Sequence, residues 1–145
     1  MLIEEVDKNR HNLENIKGLL AMAVGFPTPE KLNQLINGFY TLDGHILFVA
    51  IDSGKTVGVI GIDYANRPLG IITHIVVRED KRKQNVGSYL IDHAVEKLEL
   101  GTIELETDQD AVDFYRACGF KITEIENSYP GIRRFNCLKD IGESK

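Results

Sequence analysis

Ile72-Thr73-His74-Ile75-Val76-Val77-Arg78-Glu79-Asp80-Lys81-Arg82-Lys83-Gln84-Asn85-Val86-Gly87-Ser88-Tyr89-Leu90 joins an apolar segment, a charged knot and a second apolar pattern. Residues 70–77 are almost continuously apolar, which suits a central strand covered on both faces. Beyond the knot, Val86, Leu90, Ala94 and Leu98 recur every four residues, and Tyr89, Ile91 and Val95 widen the stripe, so this segment reads as a deeply packed helix. A helix N-terminus leaves its first backbone N–H groups unpaired and carries partial positive charge. It therefore suits a phosphate, above all where a small residue permits close approach. Gly87 supplies the smallness, Asn85 tolerates φ > 0 better than most non-glycine residues, and Arg82 and Lys83 add charge. The stretch reads as a strand, a pyrophosphate cradle and a helix. Its competitor is an ordinary solvated surface turn. Neither the G-x-x-x-x-G-K-[ST] of a nucleotide P-loop nor the G-x-G-x-x-G of a dinucleotide site is present.

Working outward, residues 2–6 make a first short strand, and Leu13, Ile16, Leu20 and Val24 mark an amphipathic helix over about 9–23. Gly25-Phe26-Pro27 ends it. Thr28 then caps a second helix with Pro29 at its first position and Leu32, Leu35, Ile36 and Phe39 along its apolar stripe. Residues 45–51 and 56–64 form a hairpin about Asp52-Ser53-Gly54-Lys55. Downstream of the long helix, residues 102–107 alternate apolar and acidic side chains, a strand with one wet face. Residues 111–118 form a short helix stopped by Gly119, and two final strands cover 120–125 and 133–138. The order β-α-α-β-β-β-α-β-α-β-β is that of an α/β mixed sheet with helices on both faces. No linker, repeat or low-complexity segment divides it. Residues 1–145 are expected to form one domain, with 139–145 as a frayed tail.

Composition narrows the function. The chain has 145 residues, 43% hydrophobic and 27% charged, with a net charge of −5. That is an ordinary globular composition. Because the Arg78–Lys83 knot is net +2, the remainder carries −7. An acidic chain with one small basic knot is a poor nucleic-acid binder, so no nucleic-acid partner is expected. No membrane partner is expected either, and an acidic, signal-free start makes a cytoplasmic address the expectation. Two cysteines, Cys118 and Cys137, are too few for a disulfide framework, and Cys118 reads as a small buried hydrophobe. His11, His45, His74 and His93 show no metal-ligand spacing, so no metal is expected.

Arg82-Lys83-Gln84-Asn85-Val86-Gly87, preceded by the strand end Ile75-Val76-Val77, resembles the [RQ]-x-x-G-x-[GA] signature of the GNAT superfamily of N-acetyltransferases. Asp108-Gln109-Asp110-Ala111-Val112-Asp113-Phe114-Tyr115-Arg116-Ala117-Cys118-Gly119-Phe120 resembles that superfamily's N-x-x-A-x-x-F-Y-x-x-x-G-F segment. Two motifs in the proper order are far more specific than either alone. Asn85 replaces the signature's first glycine, a mild change, and Asp108 replaces a common Asn and lacks its amide donor.

The resemblance implies a mixed, mostly antiparallel sheet of about seven strands flanked by four helices, with strands four and five splayed. It implies acetyl-CoA as acetyl donor and direct attack by a primary amine. The pantetheine arm would lie in the splay, bonded by the main chain at Ile75 and Val77. An N–H there would also polarise the thioester carbonyl. Val76 belongs to the same strand end, and the amides from Arg82 to Ser88 (Arg82, Lys83, Gln84, Asn85, Val86, Gly87, Ser88) would hold the pyrophosphate. Asp108 and Tyr115 complete the donor-binding set. Tyr115 stands at the superfamily's general-acid position, against the plain alternative of packing beside Phe114. His74 and Glu106 are candidate general bases, each with a bland alternative as a core histidine or a solvated strand face. Phe26, Phe39 and Tyr129 are candidates to line the entrance for a small or cationic acceptor, or a peptide amine. A homodimer is also consistent with the resemblance. The competing function is a non-catalytic acyl-CoA-binding sensor that keeps the cradle without turnover.

Overall fold

The computed structural model describes residues 1–82, 84–126 and 131–142. Seven strands form one sheet in the order β1-β2-β3-β4-β5-β7-β6. They are β1 (Leu2–Glu5), β2 (His45–Asp52), β3 (Lys55–Asp63), β4 (Leu69–Val77), β5 (Thr102–Asp108), β6 (Lys121–Ile125) and β7 (Arg134–Asp140). All pairs are antiparallel except β4 with β5. Four α-helices, α1 (Leu13–Ala21), α2 (Pro29–Asn37), α3 (Val86–Leu98) and α4 (Val112–Ala117), complete the order anticipated from the residue pattern.

Local chemistry fixes the helix starts. The Asn12 side chain accepts from the Asn15 N–H at 3.1 Å, and Thr28 Oγ1 accepts from the Lys31 N–H at 3.2 Å ahead of Pro29. Each satisfies one orphan donor of a first turn. The first helix begins later than the periodicity suggested. The Asp7 carbonyl accepts from the Arg10 and His11 N–H groups instead, giving residues 7–11 a separate turn. At the other end, Lys139 and Asp140 pair with Ile103 and Thr102, so these two residues belong to the sheet and not to a frayed tail. The exchange of backbone bonds with β5 outweighs their polarity.

The sheet divides two apolar clusters. On one face α3 packs Val86, Leu90, Ala94 and Leu98 against Phe48, Ala50, Ile60 and Ile62. On the other, Ile16, Leu20 and Ile36 of α1 and α2 pack on Leu47, Val49, Val59 and Val76. Leu90 alone, fully buried, is worth about 1.5–3 kcal/mol of transfer free energy. Two irregularities interrupt the ladders. The β2–β3 register slips at Ala50/Ile51, and the β3–β4 register slips at Gly61/Ile62. In the second slip Thr73 is the extra residue of β4.

Candidate functional site

Strands β4 and β5 run together for only three register pairs, Leu69–Thr102, Gly70–Ile103 and Ile71–Glu104. Beyond them the strands part. The Arg78 N–H donates to the Val57 carbonyl at 2.8 Å, just past the Val77–Gly58 pair. Bonded and non-bonded pairs alternate in an antiparallel ladder. Val76 therefore bonds Val59, while Ile75 and Val77 turn their N–H and C=O groups away from β3 toward the gap. Arg82 Nε donates to the Val77 carbonyl at 3.2 Å, which confirms that direction.

A cleft of about 680 Å3 opens at this gap. Its walls are the end of β4, the first turn of α3, one side of α4, and Met22 and Ala23 beyond α1. Asn85 enters α3 in the left-handed conformation (φ 66°, ψ 15°), and its side chain makes no cap hydrogen bond. The first N–H groups of α3 thus face the cleft with the partial positive charge of the helix end. Within the basic knot, Arg78 forms a two-bond ion pair with Asp80 (2.8 and 2.6 Å), and Lys81 approaches Asp52 at 3.6 Å. Arg82 sits instead on a main-chain carbonyl at the cleft's edge, so its charge is not offset by a bonded carboxylate among the described residues.

Gly87 has a different neighbour from the one anticipated. A Cβ there would lie 2.8 Å from Phe114 Cζ, so its smallness admits the Phe114 ring against α3. Tyr115, 4% exposed, packs edge-on to both Phe114 and Phe120 and still lines the cleft. It is at once a packing residue and part of the cleft wall. Burial pushes its phenol well above the ordinary value, so it stays protonated at neutral pH. Asp108 Oδ1 accepts from the Ala111 N–H at 3.0 Å and so turns the chain into α4, away from the cleft lining. Cys118, half-buried at the end of α4, lines the cleft; burial raises its thiol pKa, which favours the protonated thiol.

A second recess of about 400 Å3 adjoins the first on the α1/α2 face and is lined by Val24, Lys31, Gln34, Leu35, Phe39 and His74. Val24 follows Ala23 of the cleft wall, and His74 precedes Val76 of that wall by one strand repeat. His74 Nδ1 lies 2.5 Å from the Tyr40 hydroxyl, which is 2.7 Å from Thr73 Oγ1. Burial lowers the His74 pKa, favouring the neutral ring.

The cleft thus brings together Ile75, Val76, Val77, Arg82, Asn85, Val86, Gly87, Ser88 and Tyr115. Gln84 and Asp108 stand outside its lining, and Lys83 and Tyr129 lie outside the described residues. Phe39 and His74 share the second recess, whereas Phe26 projects away at 91% exposure. Glu106 points to the wet face of β5, 3.9 Å from Arg134. Sequence reasoning did not find Tyr40, Thr73, Lys31 or Gln34. The available signal was Gly61, an isolated glycine inside a strand, which marks close approach by another group. That group is Tyr40.

Residues 43–122 match the family model of an acetyltransferase (GNAT) domain. No curated protein sequence matches the chain. Among solved structures, an aminoglycoside 6'-N-acetyltransferase complexed with coenzyme A superposes with a TM-score of 0.80 at 20% identity, covering 100% of this chain and 99% of that one. The aminoglycoside 6'-N-acetyltransferase of Enterococcus faecium gives 0.82 at 19% identity over 100% and 99%. The ribosomal-protein-S18-alanine N-acetyltransferase of Escherichia coli gives 0.75 at 19% identity over 99% and 96%. At these identities the likeness is one of fold.

Proposed function

The chain belongs to the GNAT acetyltransferase family, and on that premise we propose that it transfers the acetyl group of acetyl-CoA to a primary amine by direct attack. The observation that carries the reading is the main-chain edge of Ile75 and Val77, turned away from β3 and beyond the β4–β5 register, beside the α3 N-terminus. The residues present fit the donor. An extended amide chain finds an open strand edge, and a pyrophosphate finds a helix N-terminus with Arg82 at its rim.

Bound acetyl-CoA supplies an activated thioester carbonyl. The chain's part is to place and protonate. Main-chain N–H groups at Ile75 and Val77 orient the donor and favour negative charge developing on its carbonyl oxygen. Tyr115, held protonated by burial, gives a proton to the leaving sulfur, and the phenol is restored through solvent by a proton that the attacking ammonium releases. The second recess admits the acceptor, with His74 one strand repeat along β4 from Val76 of the cleft. The overall negative charge favours small or cationic amines.

Thermal melts with CoA, followed by thiol release from acetyl-CoA with kanamycin, spermidine and an alanyl peptide, test this reading. Stabilisation by CoA and amine-dependent thiol release are expected. A melt unmoved by CoA would remove the donor site. Stabilisation without any amine-dependent release would make the chain an acyl-CoA-binding module.

A further inference from the structure

We propose that Tyr40 and Thr73 fix His74 as a hydrogen-bond donor of the acceptor recess, its Nε2–H reading an oxygen that neighbours the reacting amine. This role deepens the acetyltransferase reading and rests on it for the identity of the recess. It also takes His74 out of the general-base position.

The chain brings the three side chains together at some structural cost. Tyr40 lies in the 3-10 turn Phe39–Thr41, 34 positions before His74 of β4. Its hydroxyl occupies the space that a Cβ at position 61 would need, so only glycine fits there beside it. Opposite Gly61, the β4 bulge makes Thr73 an extra residue, and both Thr73 and His74 come within reach of one phenol oxygen. A glycine, a bulge and a buried hydroxyl converge on Nδ1.

A phenol has one hydrogen, and a neutral imidazole has one N–H and one bare nitrogen. The Tyr40 hydroxyl lies 2.5 Å from His74 Nδ1 and 2.7 Å from Thr73 Oγ1, so it can donate to only one of them. In the proposed arrangement it donates to Nδ1, and Thr73 Oγ1–H donates to the phenol oxygen. The imidazole hydrogen is left on Nε2. With Nδ1 engaged by Tyr40, Nε2 is the nitrogen left for a ligand in the recess that His74 lines with Lys31, Gln34 and Phe39, and as an N–H it has no lone pair to take a proton. An ammonium entering the recess cannot be deprotonated by it. An ether, hydroxyl or carbonyl oxygen can be held by it, so the acceptor class is an amine with an oxygen close to the nitrogen. Sugar amines and peptide N-termini qualify; a plain polyamine does not.

The tautomer is read from 15N long-range correlation spectra of the full chain at pH 7.5, with no donor or acceptor added. The expected pattern is a bare Nδ1 and a protonated Nε2 for His74, relaxing toward an averaged ring in Tyr40→Phe. A protonated Nδ1 in the unsubstituted protein would overturn the proposal, whether or not any amine is turned over. In the kinetic arm, His74→Gln keeps an N–H donor and no titratable group, so kcat is expected within about threefold of normal. His74→Leu should raise KM for kanamycin or the alanyl peptide about tenfold, the worth of one hydrogen bond, and leave KM for acetyl-CoA unchanged. A hundredfold fall of kcat in His74→Gln would make His74 a base and sink the donor role. Failure of CoA to bind would leave the tautomer result standing and remove only the acetyltransferase reading.

Discussion

Tyr115 shows how one residue answers to packing and chemistry at once. Its ring packs between Phe114 and Phe120, and the residue also lines the cleft. Tyr115→Phe should keep the rings and the fold while lowering kcat on the order of a hundredfold, with KM for acetyl-CoA nearly unchanged. Turnover near normal in that variant would return Tyr115 to the core. Gly61 offers the opposite case, a residue that acts by what it lacks. Gly61→Ala places a methyl on the Tyr40 hydroxyl, so Tyr40 must move; destabilisation of about 1–3 kcal/mol in urea unfolding is expected. A neutral substitution would mean that Tyr40 shifts freely and holds His74 loosely. Tyr115 was legible because a motif surrounds it at fixed spacing. Tyr40 was not, because its partners lie in β3 and β4 and only the folded register brings them to it.

Among the elements, the turn from β4 into α3 carries most of the donor-binding reading, and its conformation hinges on Asn85. At φ 66° a β-branched side chain is strained, and Asn85→Val should cost about 1–2 kcal/mol of stability. The same change should weaken CoA binding, read by the shift of the melt with added CoA, because the first turn of α3 would reorient. Asn85→Gly should preserve both. Equal behaviour of the Val and Gly variants would show that the left-handed entry is unimportant. The start and end of α3, Val86 and Leu98, were readable from its four-residue repeat, and most strands were readable from β-formers between turn signals. The two register slips were not, since a bulge leaves no mark on apolar alternation in a strand buried on both faces. Nor did composition reveal that β5 leaves β4 after Glu104; the family resemblance carried that expectation, and the short parallel register bears it out.

At the scale of the whole molecule, acid should loosen the fold in two separable stages. Burial lowers the pKa of His74 in β4 and of His93 in α3 from the ordinary value of 6.5. The unfolded chain then binds more protons than the folded one, so stability is complete above about pH 6.5 and falls as pH drops toward the folded values. The carboxylates behave in the same sense at lower pH. Glu4 is held down by its hydrogen bond from His11, Asp80 by Arg78 and Glu124 by Arg133, below ordinary values of 4.5, 3.8 and 4.5. Their contribution is present above those values and is lost beneath them. Urea midpoints measured from pH 7.5 to 3 should therefore decline first below about pH 6.5 and again below about pH 4.5. His93→Gln, which removes one half-buried titrating ring beside Phe48, should flatten the upper decline and leave the lower one. Salt separates the causes. The Asp80 and Glu124 pairs are exposed and screened by 0.5 M salt, whereas Glu4 is half-buried against the His11 ring and the histidine stage rests on desolvation, which salt barely touches. Added salt should shrink the lower decline and spare the upper; an upper decline that vanished with salt would mean that surface charge, and not burial, holds His74 and His93 neutral.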